Sequence, residues 1–280
     1  MPSRARRWTW PLAVAATTAG ALALRLWGIR HGLPYAYNVD ENAHFVPRAI
    51  GIFGHDWNPH YFANPPALTY LLHAVFAVWF GGGAGAGRAL AKHPGEVFGV
   101  ARVATALVAT AAVPLLYLAG ARLLGRGAGL LAAGLLTVAF LPVFYAHEAL
   151  NDAAVLAPIA LALYGAAGVL RQGRRRDYLL AGAGVGLAWA TKYTGAIVAL
   201  PLLAAAACAP GPRPTTATAP RARGRGRAGR VDGFAACTPR RRCRKPPRCT
   251  GSRSDGPTPR MPGDGARRGR VCRPPSADDA

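Results

Sequence analysis

The first 208 residues carry a succession of apolar runs, several close to twenty residues long, separated by short polar or basic loops. A helix needs about 20 apolar residues to cross the hydrocarbon core of a bilayer. The runs cover residues 9–28, 98–120, 128–146, 150–170, 177–192 and 194–209. They are too long and too continuous for the alternating strands of a barrel, so helix is the spanning form they can adopt. Their abundance of Ala, Gly and Leu lets neighbouring helices approach closely. The pattern therefore predicts an all-α membrane protein built as a polytopic bundle of transmembrane helices.

The chain divides in two by charge. Of its 280 residues, 1–208 hold 16 Lys/Arg against 7 Asp/Glu, a net of +9. Residues 209–280 hold 18 Lys/Arg against 5 Asp/Glu, a net of +13, and apolar runs almost vanish there. The N-terminal run extends from Trp8 to Trp27, longer than a signal-peptide core, and no small-x-small site follows it. It reads as an uncleaved first helix.

Basic residues orient the bundle. Arg4, Arg6 and Arg7, the Arg122/Arg126 loop, and Arg171 with Arg174–Arg176 all read as cytoplasmic. The N-terminus is then inside, and a loop over 30–65 is delivered to the outer face. Asn151-Asp152, at the other end of the span that closes on Arg171, falls on the outer side too. Parity then requires that residues 66–80 not cross. This stretch opens at Pro65-Pro66 and runs into Gly81-Gly82-Gly83, which suits a juxtamembrane helix. An ordinary short span there would instead put Asp152 inside.

The outer loop holds the most informative polar residues. Asp40-Glu41 begins a stretch whose Phe45, Ala49 and Ile52/Phe53 recur at helical spacing. The two carboxylates thus open an amphipathic surface helix, whose N-terminus favours negative charge. Charges next to a bilayer span are costly to keep, so they mark a candidate site. A carboxylate there can serve as general base on an acceptor, or hold a divalent cation beside a phosphate. Asp40 and His44 are the candidate metal ligands, although no regular ligand spacing accompanies them. No motif demands any other cofactor. The structural alternatives are that Asp40-Glu41 caps a surface helix, and that Asn151-Asp152 caps the next span.

These residues also resemble a family. Leu24 through Gly28, Gly32-Leu33-Pro34-Tyr35, Asp40-Glu41, Asp56 through Phe62, and Pro65 through Leu72 resemble the first outer loop of polytopic C-type-fold glycosyltransferases. The relatives are the family 39 protein O-mannosyltransferases and aminoarabinose transferases. Pro142, Asn151-Asp152, a basic loop, and Gly186-Leu187-Ala188 followed by Thr191-Lys192-Tyr193 extend the resemblance over residues 8–205. It implies transfer of a sugar from a polyprenyl-phosphate donor to a protein, lipid or glycan acceptor at the outer face of the cell membrane. It implies catalytic carboxylates at Asp40, Glu41 and Asp152. Donor phosphate contacts would come from Lys192, Arg25 and Arg30, with His60 and Asn64 beside them. Many relatives have Lys where this chain has Asn64, a departure that weakens a phosphate clamp at that point. A transporter or non-catalytic membrane protein is the alternative, but it should carry ionisable groups near mid-span rather than at span ends.

The segment 209–280 is dense in Arg, Pro and Gly, and predicts a disordered basic tail. Seventeen of its eighteen cations are Arg, and Cys237, Cys243, Cys249 and Cys272 show no paired C-x-x-C spacing. Arg, Pro, Gly and Cys codons are what a GC-rich, Ala-coding region yields one base out of step. The expectation is a change of reading frame near residues 209–220, leaving the N-terminal part of the fold, inactive as it stands, with no nucleic-acid partner.

Overall fold

A computed structural model describes residues 4–54 and 57–209. The described residues lie within one compact unit, Met1–Gly229; the second unit, Arg230–Ala280, is outside them. The expected basic tail and its change of frame also lie outside the described residues.

Among the described residues the architecture is helical, without strands. Helix α1 spans Arg4–Leu26. After a loop come a wide helical turn, Asp40–Phe45, and the short α2, Val46–Gly51. Next are α3 (Ala67–Phe80), α4 (Gly83–Lys92) and α5 (Pro94–Leu123). The second half comprises α6 (Arg126–Val138), α7 (Phe140–Tyr145), α8 (Asn151–Ala154), α9 (Leu156–Gln172) and α10 (Arg175–Thr191). A 3₁₀ turn, Tyr193–Val198, leads into α11 (Ala199–Cys208).

Among the described residues two helical stretches are long and apolar enough to cross a membrane, Pro94–Leu123 and Asn151–Gln172, and the bent pair Ala67–Phe80 and Gly83–Lys92 makes a third if it is one span. Six spans were expected. The run 128–146 is broken: Ala139 is extended, at ψ 128°, between α6 and α7. Pro142 explains this, because its ring collides with the carbonyl four residues back, at Val138, where α6 ends. Pro158 acts likewise on Ala154, the end of α8, but there the backbone stays helical and the Ile159 N–H still reaches Val155 O at 3.1 Å. The segment expected not to cross, 66–80, is a 14-residue helix, about 21 Å long at ~1.5 Å per residue. It turns by 88° into α4. Gly81 and Gly82 make that corner at φ 70° and 101°, a region closed to most side chains.

Small residues set the tightest packing. A Cβ on Gly165 of α9 would sit 2.3 Å from the Ala181 nitrogen of α10, and one on Gly184 would sit 2.4 Å from the Ala162 nitrogen. The Gly182-x-Gly184-x-Gly186 series therefore contributes one contact residue, Gly184; nothing lies within 4 Å of a Cβ on the other two. The largest core joins the first loop to the later helices. Phe45, Val46 and Ala49 pack with Leu68, Leu72 and Phe76 of α3, Val97 and Ala101 of α5, and Ala149, Leu150 and Ala154.

Candidate functional site

The wide turn at Asp40–Phe45 sets the site. Pro47 has no N–H to offer the Ala43 carbonyl, and the N–H of Val46 reaches back five residues to Glu41 O. Successive side chains of a helical turn point to different sides, and here Asp40 is half-buried and Glu41 fully buried.

Glu41 is held by three donors. Arg102 Nε meets Oε1 and a terminal nitrogen meets Oε2, both at 2.7 Å, while the Ala149 N–H donates to Oε1 at 3.0 Å. The other terminal nitrogen of Arg102 donates to Ile29 O at 3.1 Å and His31 O at 3.0 Å. One buried ion pair thus ties the end of the α1 loop, the wide turn, α5 and the α7–α8 loop together. Expected among the catalytic acids, Glu41 has neither exposed surface nor an uncommitted oxygen, so the geometry gives it a structural task. Arg102 was missed by sequence reasoning, though a cation inside an otherwise apolar span is itself a signal.

Asp40 is different. Its backbone N–H donates to Asn38 Oδ1 at 3.0 Å, and its carboxylate has no hydrogen-bond or ion-pair partner among the described residues. Asn38 in turn donates through Nδ2 to Glu148 Oε2 at 3.0 Å. Glu148 is a second residue the sequence did not single out. Burial pushes its carboxyl above the ordinary glutamate range; the Asn38 hydrogen bond opposes this, the Glu41 charge adds to it, and Arg102 and His147 oppose it.

Asp152 and Lys192 form an ion pair, their side chains 32% and 30% exposed. Beside it Asn151 donates to Asn64 Oδ1 at 3.1 Å and to Thr191 O at 3.3 Å. Tyr193 donates from its hydroxyl to Phe62 O at 2.8 Å. Asn64, Asp152 and Lys192 are therefore brought together. The Glu41–Ala149 and Asn64–Asn151 bonds join the first loop to the segment bearing Asp152, so Asp40 and Asp152 lie at one end of the bundle.

Other expected residues sit elsewhere. Arg25 is fully buried, donating to Ala21 O at 3.1 Å and Leu136 O at 3.2 Å. It bridges α1 to α6 and offers no phosphate an open face. His44 stacks on Tyr61, centroids 4.3 Å apart and planes 8° from parallel. Arg48 lies over the same ring at 4.5 Å. His60 takes a left-handed φ of 52° on the rim of a pocket that it shares with Arg48. Among the described residues no three His, Cys, Asp or Glu converge as metal ligands.

The family model for dolichyl-phosphate-mannose-protein mannosyltransferase matches residues 87–221. That region holds Arg102, Glu148, Asp152 and Lys192; Asp40 and Glu41 precede it. No curated protein and no solved structure matches the chain. The match, together with described residues that are helical throughout and include apolar helices of membrane-crossing length, makes this an all-α membrane protein similar to the C-type glycosyltransferases of family 39.

Proposed function

We propose that this protein transfers a sugar from a polyprenyl-phosphate donor to a protein, lipid or glycan acceptor at the outer membrane face, with Asp40 as general base. The observation that carries the reading is the open Asp40 carboxylate at the same bundle end as the Asp152–Lys192 pair. Asp40 would take the proton of an acceptor hydroxyl or amine. The freed electron pair attacks the anomeric carbon, and the bond from that carbon to the phosphate oxygen breaks with inversion. Lys192, already beside a carboxylate, would turn to the departing phosphate and offset its growing charge.

Orientation is part of the proposal. The bundle end opposite Asp40 gathers Arg122, which donates to Asp177 at 3.2 Å, and Arg171, which donates to Leu123 O. Arg126 begins α6, and Arg174–Arg176 stand at the start of α10. This supports a cytoplasmic placement for that end and an outer placement for Asp40. A transporter reading is disfavoured because the open acids stand at helix ends rather than at mid-span.

The test uses membranes carrying the chain as encoded, and the chain with its frame restored beyond residue 209. Each receives a labelled polyprenyl-phosphate sugar. Transfer should appear with the restored chain and vanish with Asp40→Asn. Undiminished transfer in that variant excludes Asp40 as the base; no transfer with the restored wild type counts against the reading itself.

A further inference from the structure

Two cavities beside the start of α5 take no part in the proposed transfer, although Arg30, expected at the donor phosphate, lines both. One, of about 510 Å³, is lined by Arg30, Lys92, His93 and the first residues of α5. The other, of about 400 Å³, is apolar and runs along α5 past Gly99, Val103 and Leu107, with Val75 and Trp79 of α3 as its wall. Arg30 and Glu96 line both, so the basic basin and the apolar groove adjoin at these two residues.

The groove follows one helix face, because its α5 residues recur every fourth position. From Gly99 to Leu107 is eight residues, about 12 Å at ~1.5 Å per residue. One leaflet of hydrocarbon is roughly 15 Å, half of the ~30 Å core. The groove thus has the length of a single acyl chain in one leaflet. Trp79, 65% exposed, stands on its wall, as an interfacial aromatic does. Arg30 lies against α5 at the junction: a Cβ on Gly99 would stand 3.6 Å from its Nε, an ordinary contact distance.

Charge defines what fits. Arg30 and Lys92 face the basin with His93, against one carboxylate, Glu96. Among the described residues neither Arg30 nor Lys92 has a carboxylate within ion-pair distance. Two unneutralised cations at the mouth of an acyl-length groove complement a phosphodiester carrying a hydrocarbon tail.

We infer that this paired basin and groove bind an anionic glycerophospholipid of the surrounding bilayer, its phosphodiester between Arg30 and Lys92 and one acyl chain along α5. The site does not depend on the transferase reading or on which leaflet it faces. Binding would brace α3, α4 and α5 at the end where Arg102 holds Glu41.

The test is native mass spectrometry of the full chain in mixed micelles of phosphatidylglycerol and phosphatidylcholine, with a short polyprenyl phosphate added in a second arm. Phosphatidylglycerol should be retained over phosphatidylcholine. Losing both cations in Arg30→Gln/Lys92→Gln should cut that preference on the order of tenfold. Val103→Trp, which fills the groove, should lower retention of both phospholipids. Thermal unfolding of each variant checks folding, and the wild-type preference stands as a test even if a variant fails to fold. Equal retention of the two phospholipids overturns the proposal. So does unchanged phosphatidylglycerol retention in the folded variants, or its displacement by an equimolar amount of polyprenyl phosphate, which would give the groove to the sugar donor instead.

Discussion

Arg102 and Glu41, 61 positions apart, meet in a buried bidentate pair with both contacts at 2.7 Å. The pair joins the first loop to the long helix α5. Asp40, the next residue along, is left with an open carboxylate. Two neighbouring acids of one motif therefore stand in unlike surroundings, and substitution can separate them.

Breaking the buried pair should unfold this end of the bundle. Glu41→Ala or Arg102→Ala each leaves an uncompensated buried charge and should cost about 3–5 kcal/mol. The double variant Glu41→Met/Arg102→Leu should cost less than either single one. Thermal unfolding in detergent checks this; a double variant worse than both singles would contradict it.

Asp40→Asn should leave stability within about 0.5 kcal/mol of wild type, as for a surface change away from special features. Under the proposed function it should reduce transfer by about 10²–10⁴-fold, the usual contribution of a general base. Paired unfolding and turnover measurements separate this outcome from the Glu41 case.

Lys192→Ala removes a partly exposed ion pair, which should cost no more than about 1 kcal/mol. Its expected effect is on transfer, through weaker stabilisation of the departing phosphate. A fall in kcat/KM at unchanged unfolding temperature is the outcome to look for.

Glu148 gives a pH dependence with a definite sign. Burial raises its carboxyl above the unfolded value of about 4.3, so the folded state holds the proton more tightly. Its stabilising contribution is complete below the unfolded value and is lost as pH rises through the folded one. Glu148→Gln stays neutral and can still accept from Asn38. The unfolding temperature of Glu148→Gln should gain on wild type as pH rises from 4 towards neutrality; a pH-independent difference would mean that Glu148 does not titrate in this way.

The glycine series gives the sharpest packing contrast. Gly184→Leu should destabilise by about 1–3 kcal/mol, because α9 backbone occupies the space. Gly182→Ala, with open space around it, should be neutral or stabilising by up to about 1 kcal/mol. Unfolding temperatures of the two variants decide it.

Periodicity identified the helices but not their continuity. The run 128–146 reads as one apolar span until Pro142 is weighed against the Val138 carbonyl. The amphipathic stretch after Asp40 was legible because Phe45, Ala49 and Ile52 recur on one face, and all three are buried. Arg102 and Glu148 were visible as letters but not as a site, because each takes its meaning from a partner more than 60 residues away.

The order of residues alone determined that this chain forms apolar helices and places acids at their ends, since both follow from local spacing and the cost of charge in hydrocarbon. Only the tertiary structure decided which acid is open. The neighbouring carboxylates of the turn at Asp40–Phe45 point to different sides, and long-range donors from Arg102 and Ala149 fill the oxygens of Glu41 but not those of Asp40. Local propensity cannot distribute such donors, because they arrive from helices that meet this turn only when the bundle closes.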